Sequence, residues 1–246
     1  AAAKQGEFLE HMALTVELRE EDSGEHAFRV AMWAHLLALE HGIDADEAQR
    51  IELAARLHDI GKVVIPDSVI RKRTALSQGE RQLVETHAAT GADFLVRAKV
   101  PYAALAEEIA RYHHEAWSGA GYPDGISGDA IPLAARIVGL CDAFDSLVHE
   151  RPWRSAWRVE EALGHLVRES SRQFDPALVE AFIPLVRRIY ATHEDVDAYL
   201  ARSAQQTPLW TMRRSLVERL ARPVGGEQGA DARPNAARLR SPVKPR

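Results

Sequence analysis

The sequence predicts an all-α fold, on three observations. Apolar residues recur at three- and four-residue steps along most of the chain. Capping residues followed three positions later by glutamate mark helix starts. No segment carries the strict apolar–polar alternation of a half-buried strand, and no internal repeat is visible.

The elements follow in order. Gln5 to Arg19 is amphipathic, with Phe8, Leu9, Met12 and Val16 on one side. Glu25 to Glu40 is strongly helical and stops at His41-Gly42, a C-cap signal. Asp44, with Glu47 three residues on, opens a helix from Ala45 to His58. Gly61 turns the chain and Pro66 keeps the backbone there out of regular helix. Ser77 and Glu80 form a second capping box, opening a helix that reaches His87 and continues or restarts over Ala88 to Ala98. Pro101 precedes a helix from Ala103 to His114. Residues 115–132 hold Gly119, Gly121, Gly125 and Gly128 with Pro123 and Pro132, a turn-rich surface loop. Leu133 to Glu150 and Trp157 to Arg168 are helical, and Asp175-Pro176 pairs an N-cap with proline at the first helical position, opening a helix to about Tyr190. Shorter helices cover Glu194 to Ala204 and Leu209 to Arg222. From Pro223 the composition loses periodicity and predicts disorder.

A chain of 246 residues accommodates one substantial domain and appendages, and 46% hydrophobic residues suffice for a core. The net charge of −5 argues against a general binder of polymeric nucleic acid. The single Cys141 excludes an intrachain disulfide framework and fits a reducing, cytoplasmic compartment. No apolar run approaches the ~20 residues of a membrane span. The chain begins Ala1-Ala2-Ala3-Lys4 without methionine, as a processed chain or a segment of something longer would.

Histidines and acids recur at helical-hairpin intervals. His26 precedes His58 by 32 residues, Asp59 precedes His87 by 28, His87 precedes His113 by 26, and His114 precedes Asp142 by 28. A bundle can bring one member from each of several helices to a common point. Neighbouring helical residues point about 100° apart, so His58 and Asp59 serve one site only at a helix end, the histidine terminally and the carboxylate as a bridge. His113 and His114 repeat the arrangement beside apolar Ile109 and Tyr112, where buried imidazoles need partners. Asp142 sits in the apolar run Ile137 to Phe144, where a lone carboxylate would be costly. Asp145 shares its helix face and is expected to orient a ligand or a basic group. Cys141 reads as a small core residue; His11, His35, His41, His149, His165 and His193 read as surface or cap residues. Imidazoles and carboxylates without thiolates suit Fe, Mn or Zn. The set is too large for one tetrahedral zinc, and fits two metals sharing a carboxylate, the arrangement of a metal hydrolase.

His58-Asp59-Ile60-Gly61-Lys62, His113-His114-Glu115 and Gly119-Ala120-Gly121-Tyr122-Pro123-Asp124-Gly125 resemble the HD-GYP family of metal phosphodiesterases. Ile65-Pro66-Asp67, His87 with Gly91, Ile131 to Ile137, Asp142-Ala143-Phe144-Asp145, Glu150-Arg151-Pro152 and Phe174-Asp175-Pro176 extend the resemblance over about residues 20 to 185. It implies an HD-type helical bundle with a glycine-rich active-site loop, and hydrolysis of cyclic di-GMP to pGpG and in some members to GMP. It also implies a centre of two or three Fe or Mn ions held by His26, His58, Asp59, His87, His113, His114 and Asp142. Members with a third metal carry glutamate four residues before the first histidine; here Asp22 stands there, one methylene shorter. The chain departs from the family at Ser118, often aspartate, and at Trp153, often tyrosine.

On this reading Asp59 bridges the metals and Lys62 brings positive charge to the scissile phosphate, although a lysine there can equally be solvent-exposed. Arg151 and Arg154 clamp phosphate or guanine, Gly121 lets backbone approach the substrate, and Tyr122 and Trp153 offer stacking faces or fill core. The expected division is an N-terminal helix at 1–19 continuing from an upstream receiver or sensor domain, a catalytic unit at 20–192, a helical extension at 193–222 and a disordered tail at 223–246. A second copy or a diguanylate cyclase is an expected partner. The alternatives are an HD-type phosphohydrolase acting on another nucleotide and a non-catalytic cyclic di-GMP receptor.

Overall fold

A computed structural model describes residues 2–20, 24–151, 154–202, 205 and 208–220. Asp22, Trp153 and the segment expected to be disordered lie outside the described residues. Among those described there is no strand, only isolated bridges between Arg151 and Arg154 and between Ser170 and Phe174. The fold is an all-α bundle.

Eleven α-helices are described: α1 (Ala2–Glu20), α2 (His26–Glu40), α3 (Ala45–Ala55), α4 (Asp67–Ile70), α5 (Gln78–Leu95), α6 (Ala103–Tyr112), α7 (Leu133–Val148), α8 (Val159–Arg168), α9 (Pro176–Thr192), α10 (Val196–Leu200) and α11 (Pro208–Leu220). Short 3-10 helices span Ile60–Val64 and Gly128–Ala130.

Helix α2 is the axis of the core. Val30, Trp33, Ala34, Leu37 and Ala38 repeat at helical spacing and are all buried. The Trp33 ring meets Phe144 of α7 and Phe182 of α9 edge-on, both at 5.6 Å between centroids. Helices α3, α7 and α9 thereby pack around α2, and α5 and α6 pair beside them.

The helix starts are largely as expected. Ser77 and Glu80 form the complete capping box of α5. Asp175 accepts from the Ala177 amide, with Pro176 at the first helical position of α9. Asp44 accepts from the Glu47 amide at 3.0 Å, but the Glu47 carboxylate pairs with Arg50 rather than closing the box. Helix α5 runs unbroken through His87 to Leu95.

The helix expected to reach His58 ends at Ala55. The chain then tightens into turns and the 3-10 helix, in which Gly61 permits a close approach to α5. A Cβ on Gly61 would stand 2.0 Å from the His87 carbonyl oxygen and 2.5 Å from the Gly91 nitrogen. Backbone presses on backbone there, bringing the His58–Lys62 segment directly against the turn of α5 that carries His87.

Candidate metal centre

The chain brings the predicted ligands together in two groups. Asp59, His87, His113 and His114 form one, and His26, His58 and Asp142 the other; within each, the ligand atoms lie within 4.8 Å of one another. They come from five places: the start of α2, the turn after α3, the middle of α5, the end of α6 and the middle of α7.

Asp59 stands between the groups. Its Oδ1 is 3.3 Å from His87 Nε2 and 3.9 Å from His113 Nε2, while its Oδ2 is 3.2 Å from His58 Nε2. The carboxylate is held far below its ordinary pKa: burial works to raise it, and the charges of Lys62 and His58 outweigh burial.

The histidines are aimed by the backbone. Nδ1 of His58 lies 2.8 Å from the Ala55 carbonyl oxygen, Nδ1 of His87 lies 2.6 Å from that of Val84, and Nδ1 of His113 lies 2.9 Å from that of Ile109. A carbonyl oxygen only accepts, so each Nδ1 carries the proton, and in the neutral ring Nε2 is a bare lone pair. This is how a metal-binding imidazole is oriented. His58 Nε2, His87 Nε2, His113 Nε2 and Asp59 Oδ1 are all buried without a hydrogen-bond partner. An unsatisfied buried polar atom costs about 1–3 kcal/mol, against a typical domain stability of about 5–15 kcal/mol. With these rings neutral, acceptors converge on acceptors, which a cation satisfies, and this donor set fits a divalent metal.

Protonation differs between the groups. Burial, reinforced by His114 and His58, pushes His113 well below the ordinary imidazole pKa. Burial and His87 bring His114 down to about 3. His26 goes the other way: burial opposes its charge, but hydrogen bonds to Asp142 and Asp145 raise it well above the ordinary value. Its Nε2 is 3.1 Å from Asp142 Oδ1 and its Nδ1 2.7 Å from Asp145 Oδ2.

The cationic side chains are more restrained than expected. Lys62 Nζ is 2.8 Å from Asp59 Oδ2 and 2.7 Å from Glu20 Oε2, so it is pinned rather than solvent-exposed. The backbones of Arg151 and Arg154 bond reciprocally at 2.9 and 3.0 Å. The Arg151 guanidinium donates to Ser146 Oγ at 3.0 Å, and that of Arg154 donates to the Ser146 carbonyl oxygen. Both arginines line a cavity of about 370 Å³ with Asp59, Lys62, His87 and Asp142. A second cavity of about 510 Å³ adjoins it across His114, Tyr122 and Asp142. Tyr122 lies tilted over His114 at 4.8 Å, so one face of the ring is already taken. Gly121 lines the second cavity, but packing also uses its missing side chain: a Cβ would fall 2.2 Å from the Ala116 nitrogen.

The comparisons with known proteins agree with this geometry. The model of the HD-domain family matches residues 10–178. The chain is an HD-domain protein. Its kinship is with HD-GYP-type and other HD-domain cyclic-nucleotide phosphodiesterases. It is 40% identical over 182 residues to the cyclic di-GMP phosphodiesterase response regulator RpfG of Xanthomonas campestris, covering 73% of this chain and 48% of that protein. It is 38% identical over 177 residues to the 3′3′-cGAMP-specific phosphodiesterase 2 of Vibrio cholerae, covering 72% of this chain and 34% of that protein. The chain therefore spans about half or less of the length of these curated relatives. The crystal structure of a cyclic GMP-AMP-specific phosphodiesterase of V. cholerae shares the fold, with a TM-score of 0.57 at 23% identity over 79% of this chain and 52% of that one.

Arg29, His149, His165 and Glu20 around the centre escaped the sequence reading, whereas Asp145 was named there as orienting a ligand or a basic group. Asp145 is fully buried and holds both His26 and Arg29, whose guanidinium donates to its two oxygens at 2.8 and 2.9 Å. Arg29, three residues beyond His26 in an apolar helix, was the available signal for a buried basic partner. His149, expected at the surface or at a cap, is the half-buried C-cap of α7: its Nδ1 donates to the Asp145 carbonyl oxygen at 2.8 Å and its Nε2 faces Asp197 at 3.2 Å. His165, also expected at the surface or at a cap, lies in the last turn of α8 and lines the cavity that holds Asp59. Glu20, the partner of Lys62, closes α1 and gave no sequence signal. Cys141 is buried in the core, as expected.

Proposed function

We propose that the chain is a metal-dependent phosphodiesterase that opens cyclic dinucleotides, with cyclic di-GMP as first substrate and pGpG as first product. The observation that carries this reading is Asp59: one carboxylate oxygen faces His87 and His113 and the other faces His58, so one side chain can serve two cations. Such a pair generates hydroxide at neutral pH and absorbs charge on phosphate oxygens.

The chain's own residues do the rest. His87, His113 and His114 would hold one cation and His26, His58 and Asp142 the other, with Asp59 placed to serve either. The oxygen and nitrogen donors suit Fe, Mn or Zn, the family resemblance favours Fe or Mn among them, and Asp22 is the candidate ligand of a third ion. Arg151 and Arg154, fixed through Ser146 at the rim of the cavity, orient a nonreacting phosphate or a guanine edge. Lys62 meets the charge that grows on the reacting phosphate. Gly121 and the free face of Tyr122 bound the space for a base, for which Trp153 is a further candidate contact.

The relative specific for 3′3′-cGAMP supports a second reading, in which the same centre takes that dinucleotide. The deciding experiment loads anaerobically purified protein with Fe(II) or Mn(II) and offers cyclic di-GMP, 3′3′-cGAMP and cyclic di-AMP, with products resolved by chromatography. Fastest opening of cyclic di-GMP supports the first reading, and preference for 3′3′-cGAMP the second. Turnover of none under both metals leaves a receptor role and overturns both.

Among the described residues no helix is long and apolar enough to cross a membrane. We place the activity in the cytoplasm, in a unit of residues 20–192 with a helical extension at 193–222. An upstream receiver or sensor domain would act through α1, and a second copy or a diguanylate cyclase would be its protein partner.

A further inference from the structure

Glu20 is the last residue of α1, and its position is tightly set. The neighbouring Arg19 donates to the carbonyl oxygens of Lys62, Val63 and Ile65 at 3.4, 3.3 and 2.5 Å, and to Asp67 Oδ1 at 2.8 Å. Arg71 donates in turn to the Arg19 carbonyl oxygen at 2.8 Å. The end of α1 is thus riveted to the 3-10 helix that carries Lys62, and Glu20 Oε2 reaches Lys62 Nζ at 2.7 Å.

Lys62 also occupies Asp59 Oδ2, at 2.8 Å. That is the oxygen facing His58, and so the one needed by the group of His26, His58 and Asp142. An ammonium and a metal ion compete for one carboxylate oxygen, because each carries positive charge and the two repel when they share it. Without a second anion, Lys62 would have Asp59 as its full counter-charge and would resist giving it up. With Glu20 beside it, Lys62 keeps an ionic partner when Asp59 turns to a cation.

We propose that Glu20 is a positioning residue that takes over Lys62 from Asp59, freeing Asp59 Oδ2 for the second metal and leaving the ammonium at the edge of the cavity. This rests on the reading of a two-metal centre and adds to it the residue that lets the second site fill. It also assigns a role to the end of α1: moving that helix would move Glu20, and with it the readiness of Asp59.

The test is Mn(II) binding by the full chain, followed through the electron paramagnetic resonance signal of free Mn(II), for wild type, Glu20→Gln, Lys62→Ala and the double variant. The expected result is two Mn(II) per wild-type chain. Glu20→Gln should weaken the second by about tenfold, the low end of what outer partners of metal ligands contribute. The double variant should return to within about twofold of Lys62→Ala, since with no ammonium there is nothing to hold away. A purely structural role for Glu20, or direct ligation by it, would leave the double variant as weak as Glu20→Gln, and that result overturns the proposal. Two ions in wild type with Glu20→Gln unchanged overturns the role of Glu20 alone. One ion in wild type overturns the two-metal reading and this inference with it.

Discussion

Oδ1 of Asp59 and Nε2 of His87 lie 3.3 Å apart in the interior, both buried and neither with a hydrogen bond of good geometry. The aspartate is held ionised by Lys62 and His58 against its burial. The histidine spends its Nδ1 proton on the Val84 carbonyl oxygen. Two electron-rich atoms are thus held face to face by the packing of a 3-10 helix against α5, an arrangement that a cation between the ligand groups would reward.

Removing the shared carboxylate should therefore remove more than one ligand's worth of binding. Asp59→Ala is expected to lower bound Fe or Mn from about two ions per chain to below about one, and to abolish hydrolysis. Metal analysis by mass spectrometry after gel filtration checks it. Two retained ions would show that each group holds its metal without a bridge.

The second prediction concerns pH. In the metal-free chain His26 is held charged between Asp142 and Asp145, its pKa raised well above the ordinary value. A metal at Nε2 must displace that proton, so affinity at the His26 group should rise with pH until the raised value is passed. His113 and His114 are both lowered, so the other group should bind without releasing their protons. For stability the sign reverses. A raised folded pKa contributes stability that is fully present below the ordinary imidazole value and lost as pH climbs through the raised one. Calorimetric titration of Mn(II) in buffers of different ionisation enthalpy should resolve one ion that releases a proton and one that does not. Two ions with equal proton release would contradict this.

How legible the centre was depends on whether a residue's partner is local. Ser77 with Glu80 and Asp175 with Pro176 announce their helices because both halves of the signal are adjacent in sequence. His58-Asp59 and His113-His114 stand out because paired polar residues ending apolar helices lack a packing explanation. Glu20 and Arg29 do not stand out, since a charged residue on a helix ordinarily faces solvent; only the packing of α1 on the 3-10 helix and of α2 on α7 gives them partners. The partner of His149, the C-cap of α7, was hidden for the same reason, as Asp197 reaches it from α10. The close approach of Gly61 to the backbone of α5 is likewise nonlocal and has no signal in the adjacent sequence.

That approach yields a third prediction. In Gly61→Ala the new methyl would lie 2.0 Å from the His87 carbonyl oxygen and 2.5 Å from the Gly91 nitrogen. Neither atom belongs to a side chain that can rotate away, so the 3-10 helix and α5 must part. Overpacking of this kind costs about 1–3 kcal/mol and sometimes more. Because the separation moves Asp59 from His87, metal affinity should fall along with stability. Urea unfolding with and without Mn(II) measures both, and a variant that loses stability but binds Mn(II) normally would uncouple the contact from the centre.

The last prediction separates Lys62 from the metals. Its ammonium sits between Asp59 and Glu20, so it is not required to hold a cation and by its charge opposes one. Lys62→Ala should keep both ions, with affinity equal to or above wild type. If Lys62 meets charge that grows on the phosphate during attack, turnover of cyclic di-GMP should still fall by roughly 10²-fold, about 2.7 kcal/mol by transition-state arithmetic. The loss should appear in kcat, with KM changed little, because the interaction strengthens as the reaction proceeds. Arg151→Ala should show the opposite split, with KM raised and kcat nearly kept, since its guanidinium would grip a group that does not react. Steady-state kinetics at verified metal content reads both variants together. Unchanged turnover in Lys62→Ala would leave charge stabilisation to the metals and the arginines, and would reduce Lys62 to a counter-charge for Asp59 and Glu20.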